Sequence, residues 1–203
     1  MRKTLLALIG LTALTRAALA APETFDFKDP KGVNNIVFKL DAVLEATEGS
    51  ANGITGSVTF DPENPGLTRG KLAVASASLH VPNPMMKGHR HGPQWMDVAK
   101  YPEITFETKE LKKVKTSGAQ TTAEAVGTLT IKGVSKEITV PIKLSYLKDK
   151  LGQRVPNLKG DLLVIRSTFT IKRSDFGINP SAPQDKVSDE IEIALSVAGA
   201  AAR

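Results

Sequence analysis

Apolar and polar residues alternate with a period of two over most of this sequence, and that pattern constrains the fold more than any other feature. In residues 54–60, Ile54, Val58 and Phe60 alternate with threonine and serine. Neighbouring side chains of a strand point to opposite faces, so each such segment predicts a strand with one buried face. The alternating segments are residues 36–44, 54–60, 71–81, 104–108, 125–131, 138–146, 163–171 and 191–197.

These segments predict an all-β chain of about eight antiparallel strands joined by short links. Turns rich in glycine or proline are predicted at residues 48–53, 61–66 and 132–133. In residues 83–100 the alternation stops, and Pro84 and Pro93 accompany a pattern that predicts a short helical cap between strands. A sandwich and a barrel both fit this pattern. A barrel of about eight strands could enclose one small ligand, and the apolar inward rows favour an apolar one.

The first twenty residues have the pattern of a secretory signal peptide. Arg2 and Lys3 precede an apolar run over residues 5–14, and Ala18-Leu19-Ala20 forms a small-x-small ending. The run is about half the length that a membrane-spanning helix needs, which argues against a stable membrane anchor. We therefore predict cleavage after Ala20, a single domain over residues 21–203, and a periplasmic or secreted location.

Charge and cysteine content exclude several classes of protein. The leader holds three basic and no acidic residues, which leaves 24 basic and 21 acidic residues in the mature chain. These charges are interspersed rather than clustered, so the sequence does not predict a nucleic-acid partner. The chain has no cysteine, so a disulfide framework is excluded and the hydrophobic core must stabilise the fold.

The motifs of common enzyme classes are also missing from the sequence. It contains no G-x-S-x-G, no H-E-x-x-H, no glycine-rich phosphate loop and no cysteine nucleophile. We therefore expect a binding protein rather than an enzyme, with no cofactor other than a bound long-chain lipid.

Apolar residues of the predicted inward rows are candidates for a pocket wall, because aromatic rings and methionine suit a flexible apolar chain. Taken singly, such residues are ordinarily plain core, and the prediction of a pocket rests on the whole set. The candidate lipid-binding residues are Phe38, Ile54, Phe60, Val74, Trp95, Met96, Phe106, Ile131, Val140, Phe169 and Phe176. Arg166 and Arg173 could neutralise an anionic head group, or could form surface ion pairs with residues such as Asp175 or Asp189.

A second candidate site lies in the segment His80 to Met96. His80, His89 and His91 fall within twelve residues, with methionines nearby, and this soft-ligand set suits copper. His89 and His91 are the candidate metal ligands. The alternative interpretation is a solvent-exposed polar lid.

Four segments, in order along the chain, resemble the YceI-like family. The most specific is Trp95-Met96-Asp97-Val98-Ala99-Lys100-Tyr101-Pro102-Glu103-Ile104-Thr105-Phe106. The others are Gly56 to Pro65, Gly127 to Val134, and Phe169 to Ile178 with Ser188 to Ile191. The sequence departs from the family at Val33-Asn34-Asn35, where a histidine-serine pair is frequent, and between His80 and His91.

The resemblance implies an exported, lipocalin-like antiparallel barrel around a long apolar pocket for an isoprenoid chain or a similar lipid. The expected function is therefore an exported protein that sequesters or carries an amphiphilic isoprenoid-type lipid. The alternative is a periplasmic copper-binding module built on the segment His80 to Met96.

Overall fold

A computed structural model describes residues 21–83 and 91–203. Within these residues, ten strands form one antiparallel sheet. The strands are β1 (Glu23–Asp26), β2 (Asn35–Asp41), β3 (Ala46–Ala51), β4 (Ile54–Phe60), β5 (Arg69–Ala75), β6 (Glu103–Ser117), β7 (Gln120–Ile131), β8 (Val134–Leu147), β9 (Gly160–Lys172) and β10 (Glu190–Ala202).

The sheet closes on itself. Its order is β1-β4-β5-β6-β7-β8-β9-β10-β2-β3, and β1 also pairs with β10 at Asp26 and Ala200. In the described part of the chain, β1 and β4 to β10 therefore form a ring of eight strands. The hairpin β2–β3 extends the ring, because β2 pairs with the first half of β10. This closure confirms the all-β antiparallel barrel and decides against a sandwich.

Helical structure is confined to short segments in the residues described. They are α1 (Leu151–Arg154) and the 3₁₀ turns Pro65–Leu67, Ser76–Ser78 and Ser174–Phe176. Of the predicted helical cap, residues 84–90 lie outside the described residues. Residues 91–100 form hydrogen-bonded turns, in which the Asp97 amide donates to the Gly92 carbonyl at 2.9 Å. No helix in the two described ranges is long and apolar enough to cross a membrane.

The predicted turn and bend residues explain how the long strands reverse and curve. Lys132 and Gly133 have φ angles of 50° and 77°, the backbone that a two-residue hairpin turn requires. The sequence predicts a bend or a close approach at Gly127. A Cβ there would lie 2.6 Å from the Phe106 ring, and β6 has an irregularity in register between Thr108 and Glu110 opposite this region. Both predictions are therefore confirmed.

The prediction around residues 36–53 is wrong in detail. The alternation predicts one strand over residues 36–44 and a turn over residues 48–53, whereas β2 ends at Asp41 and β3 occupies Ala46–Ala51. The sequence of β3 has low intrinsic strand propensity, and its pairing with β2 determines its conformation. Gly49 lies opposite Phe38, and a Cβ at Gly49 would come within 2.2 Å of the Phe38 ring.

Buried apolar residues form two clusters inside the barrel. The larger cluster includes Phe25, Phe27 and Phe60, which are at most 2% exposed. The smaller cluster joins Met96 and Phe176 to inward residues of β7, β9 and the segment after β9. Partly buried residues such as Phe106 and Phe169 pack against both clusters and so connect them.

The connection between β1 and β2 is held by polar contacts where the ring closes. The Asp29 carboxylate accepts hydrogen bonds from the Lys31, Val33 and Asn34 amides, and from Arg154 Nη2 at 3.0 Å. The Asn34 side chain in turn bonds the backbone of Phe27 and Ala198. These contacts supplement a β1–β10 pairing of one residue on each strand.

We expect Asp29→Ala to lower the free energy of unfolding by about 2 kcal/mol at neutral pH, because it removes a charged acceptor from three amides. Burial opposes ionisation, but these hydrogen bonds and Arg154 hold the pKa of Asp29 below its ordinary value. The stabilisation of the folded state by the Asp29 carboxylate is therefore complete above the unfolded-state pKa of about 3.9, and it is lost as the pH falls through the lower folded-state pKa.

Urea unfolding at several pH values measures this effect. Asp26→Ala is the matched control, because the exposed Asp26 accepts one local amide hydrogen bond. Equal effects of the two substitutions at neutral pH would contradict the role assigned to Asp29.

Candidate functional site

An apolar cavity of about 310 Å³ lies inside the barrel. Its wall is formed by inward side chains of β2 to β10 and the connecting segments. Residues that represent these elements are Phe38, Val58, Leu72, Phe106, Leu129, Ile142, Phe169, Ile193, Trp95 and Ile178. Among the described lining residues, Arg173 alone carries a formal charge. Such a cavity favours an apolar guest.

Aromatic residues fill the barrel beyond one end of this cavity. The Tyr146 ring lies 6.3 Å from the Phe25 ring in an edge-to-face arrangement and 5.8 Å from the Phe60 ring. Tyr146 donates a hydrogen bond of 2.5 Å to Asp161, which is fully buried. The Asp149 amide and Arg203 Nη2 also donate to Asp161, at 2.8 Å and 2.5 Å. This end is therefore closed by packed rings and a polar cluster.

The polar cluster at the closed end contains two carboxyl groups whose pKa values are shifted in opposite directions. Burial opposes the ionisation of Asp161, but the Asp149 amide, Tyr146 and Arg203 hold its pKa below the ordinary value. Burial and the neighbouring Asp161 raise the pKa of Glu23. Burial and the same carboxylate also raise the pKa of Tyr146. The cluster thus favours the ionised form of Asp161 and disfavours the ionised form of Glu23.

Arg173 organises the other end of the cavity. It is fully buried, and its guanidinium donates to the carbonyl groups of Ile178 and Asn179 through Nη1. It also donates to Ser188 through Nε at 3.2 Å and to Val187 through Nη2 at 3.3 Å. One side chain therefore holds both ends of the long loop between β9 and β10 against the barrel.

Two further contacts fix this end. The Arg173 guanidinium lies 5.9 Å from the centre of the Trp95 ring, and Lys132 Nζ donates to the carbonyls of Gln94 and Gly177. Burial lowers the pKa of Arg173, although Asp189 partly offsets this effect. Its charge is thus partly balanced by carbonyl dipoles and by Asp189.

The structure places the eleven predicted lipid-binding residues in two groups. Eight line the cavity: Phe38, Val74, Trp95, Met96, Phe106, Ile131, Val140 and Phe169. Three do not: Ile54 and Phe60 are buried in the larger cluster, and Phe176 in the smaller one. Phe60 packs against Tyr146 at the closed end, beyond the cavity. Contact of the eight with a lipid stays a prediction.

The predicted histidine site is only partly described. His89 lies outside the described residues. His80 is exposed and joins Ser50 through backbone hydrogen bonds, while His91 Nε2 lies 3.3 Å from the Leu79 carbonyl oxygen. In residues 21–83 and 91–203, no group of three or more histidine, cysteine, aspartate or glutamate side chains is placed to hold a metal ion.

The two predicted arginines have separate positions. Arg166 is exposed on the outside of β9 and does not line the cavity. Arg173 is buried and, among the described residues, forms no salt bridge with a carboxylate, although Asp189 partly offsets its charge from a longer distance. Asp175 pairs with Lys136 at 2.9 Å, and Asp189 accepts hydrogen bonds from the amide and hydroxyl of Ser174. The ion-pair interpretation is therefore wrong for Arg173.

Sequence reasoning missed several wall residues that a stricter use of alternation would have found. Ile36 and Leu40 flank Phe38 at spacings of two, and both line the cavity. Ser167 lies between Ile165 and Phe169 in the same inward row, and its hydroxyl donates to the Pro141 carbonyl at 2.7 Å. Such positions are identified by their place in the alternation of inward and outward side chains along the strand, rather than by the polarity of the residue.

A closed antiparallel barrel with an internal apolar cavity places this protein among the small β-barrels that can enclose one ligand. The chain belongs to the YceI-like family, since the model of the YceI-like domain matches residues 29–198. A UPF0312 protein of Yersinia pestis (strain Pestoides F) is 31% identical over 151 residues, which cover 74% of this chain and 72% of the relative.

Solved structures share the fold. BcnA of Burkholderia cenocepacia has a TM-score of 0.67 and 22% identity, with 81% of this chain and 95% of that chain covered. A polyisoprenoid-binding domain from Saccharophagus degradans, implicated in plant cell wall breakdown, has a TM-score of 0.62 and 10% identity. The match covers 89% of this chain and 99% of that domain.

Proposed function

We propose that this protein is an exported carrier that holds an amphiphilic lipid in its barrel, without covalent chemistry. The observation that carries the proposal is the apolar cavity of about 310 Å³, to which nearly every strand of the barrel contributes. Each methylene group that enters it from water contributes about 0.8 kcal/mol, so a long chain can bind without many polar contacts.

An isoprenoid-type chain is the ligand class that we propose. The resemblance to the YceI-like family and the name of the Saccharophagus degradans domain support this choice. The wall supports it as well, since Phe106, Phe169 and Trp95 offer rings to a branched chain and Met96 offers an adaptable thioether. Arg173, the one charged group among the described wall residues, is bound to backbone carbonyls and is not positioned for covalent chemistry.

Export is supported by the leader pattern over residues 1–20, which lie outside the described residues. We propose cleavage after Ala20 and residence in the periplasm or outside the cell. The intact mass of protein recovered from the periplasm or the medium should equal that of a chain that begins at Ala21. A mass that includes residues 1–20 would contradict cleavage.

A cavity-filling substitution tests the site. Ala125 on β7 lines the cavity and is 2% exposed, so Ala125→Phe would place a ring in the space proposed for the lipid. A phenyl ring displaces room for several methylene groups, so we expect binding of a polyisoprenoid alcohol to weaken at least about tenfold. Titration of the lipid-free protein with that alcohol measures the effect.

Thr122→Phe is the matched control, because Thr122 is exposed on the same strand and points outward. It introduces the same ring outside the cavity and should leave the affinity unchanged. Melting temperatures of both variants report whether the barrel remains folded. Equal affinities of wild type and a folded Ala125→Phe variant would show that the cavity does not hold the lipid.

A further inference from the structure

Most lysines on the outer face of β6 to β8 have an acidic partner. Lys109 pairs with Glu137 at 2.6 Å, and Lys113 pairs with Glu124 at 2.7 Å. Lys112 pairs with Glu110 at 3.0 Å. These exposed pairs add little stability, but they cancel the local positive charge.

A group of three exposed basic residues on the same face differs from these lysines. The strand register places Lys115 beside Thr122, Thr122 beside Lys143, and Lys143 beside Arg166. We call Lys115, Lys143 and Arg166 the basic row. All three are exposed, and with the described residues their side chains form no ion pair or hydrogen bond.

The basic row concentrates positive charge at a cost in stability. Lys143 and Arg166 are directly opposite each other on neighbouring strands, which are about 4.8 Å apart. Like charges in this arrangement repel and destabilise the sheet. The next residue across the sheet from Arg166 is Ser196, which has no charge to offset the row. The carboxylate of Glu124 on β7 does not offset it either, because it is already bound to Lys113. An external anion could therefore relieve the repulsion.

We propose that the basic row docks this protein on the surface of an anionic lipid bilayer. The row crosses four neighbouring strands, so it can meet several phosphate groups at once, and the arginine can bind a phosphate through two hydrogen bonds. Its direct neighbours Thr122 and Ser196 are small and polar. They do not supply the aromatic or large apolar anchors on which protein partners depend. This docking goes beyond the binding of a lipid in the cavity and does not require an occupied cavity.

Co-sedimentation with vesicles tests the proposal. The mature protein is mixed with vesicles of phosphatidylcholine alone, or with vesicles that also contain phosphatidylglycerol. We expect binding to the second kind only, weakened by added salt. Lys143→Gln with Arg166→Gln should reduce the partition coefficient at least about tenfold, since each basic residue near an anionic surface contributes about fivefold.

Lys109→Gln with Lys112→Gln is the matched control. It removes the same net charge from the same face, but from lysines that already have acidic partners, and it leaves Glu124 bound to Lys113. We expect a change of less than about twofold. Equal losses in the two double variants would overturn the proposal, because net charge alone would then explain binding. Absence of binding to phosphatidylglycerol vesicles, or binding of an acidic protein instead, would also overturn it.

Discussion

Substitution of Arg173 by methionine is expected to lower the free energy of unfolding by about 4 kcal/mol. The methionine would fill much of the same space, but four backbone carbonyl groups would lose their donor: those of Ile178, Asn179, Val187 and Ser188. These carbonyls belong to the loop that forms one end of the cavity. Lipid retention should therefore fall together with stability.

Urea unfolding, combined with hydrogen exchange of the loop amides, measures the effect of Arg173→Met. Arg166→Met is the matched control, because Arg166 is an exposed arginine on the adjacent strand β9 and should tolerate the change within about 0.5 kcal/mol. Arg173→Lys retains the charge but has fewer hydrogen-bond donors, so its free energy of unfolding should lie between those of wild type and Arg173→Met. If the free energy of unfolding of Arg173→Met lies within about 1 kcal/mol of the wild-type value, Arg173 does not hold the loop.

The second large effect is expected at the closed end. Asp161→Ala should lower the free energy of unfolding by about 3 kcal/mol at neutral pH, because Tyr146, the Asp149 amide and Arg203 all lose their acceptor. The pKa of Asp161 lies below its ordinary value in the folded protein. Its contribution is therefore present above the unfolded-state pKa and is lost as the pH falls through the folded-state pKa.

The same substitution should change the titration of Glu23. Burial raises the pKa of Glu23 most, and the Asp161 carboxylate raises it further, so in Asp161→Ala this pKa should move back toward its ordinary value. Carbon-detected NMR titration of the glutamate carboxyl groups can follow this shift. Asp149→Asn is the control, since asparagine tolerates the left-handed backbone of this residue (φ 55°) and the substitution removes only the charge of an exposed side chain 3.3 Å from the same arginine. Equal losses of stability in the two variants would contradict the central role of Asp161.

The alternation of residues predicted the antiparallel strands, because the physics of a half-buried strand is local, but it did not distinguish a barrel from a sandwich. Strands β4 and β6 to β10 each carry an inward apolar row that can be recognised without knowledge of the neighbours. β3 could not be found in this way. Its residues Thr47, Glu48 and Gly49 have no apolar row, and they form a strand because β2 and the Phe38 ring lie beside them.

The site was predicted less completely than the fold, for a physical reason. Apolarity cannot distinguish Phe38, which lines the cavity, from Phe60, which packs against Tyr146 beyond it. Polar inward residues were missed or misassigned because a charge was expected to face solvent. Asp161 nevertheless lies an even number of residues before Ile165 on β9, and Arg173 lies an even number of residues after it. Strict alternation along β9 and the residues that follow it would therefore have placed both side chains inside the barrel.

Native mass spectrometry of the protein, purified gently from its own compartment, is the direct test of lipid binding in the barrel. We expect an added mass, and solvent extraction should release it as a lipid with an isoprenoid chain. The Ala125→Phe variant, purified in the same way, should carry much less of that mass. A folded wild-type protein that carries no added mass and takes up no polyisoprenoid would show that the barrel does not hold such a lipid.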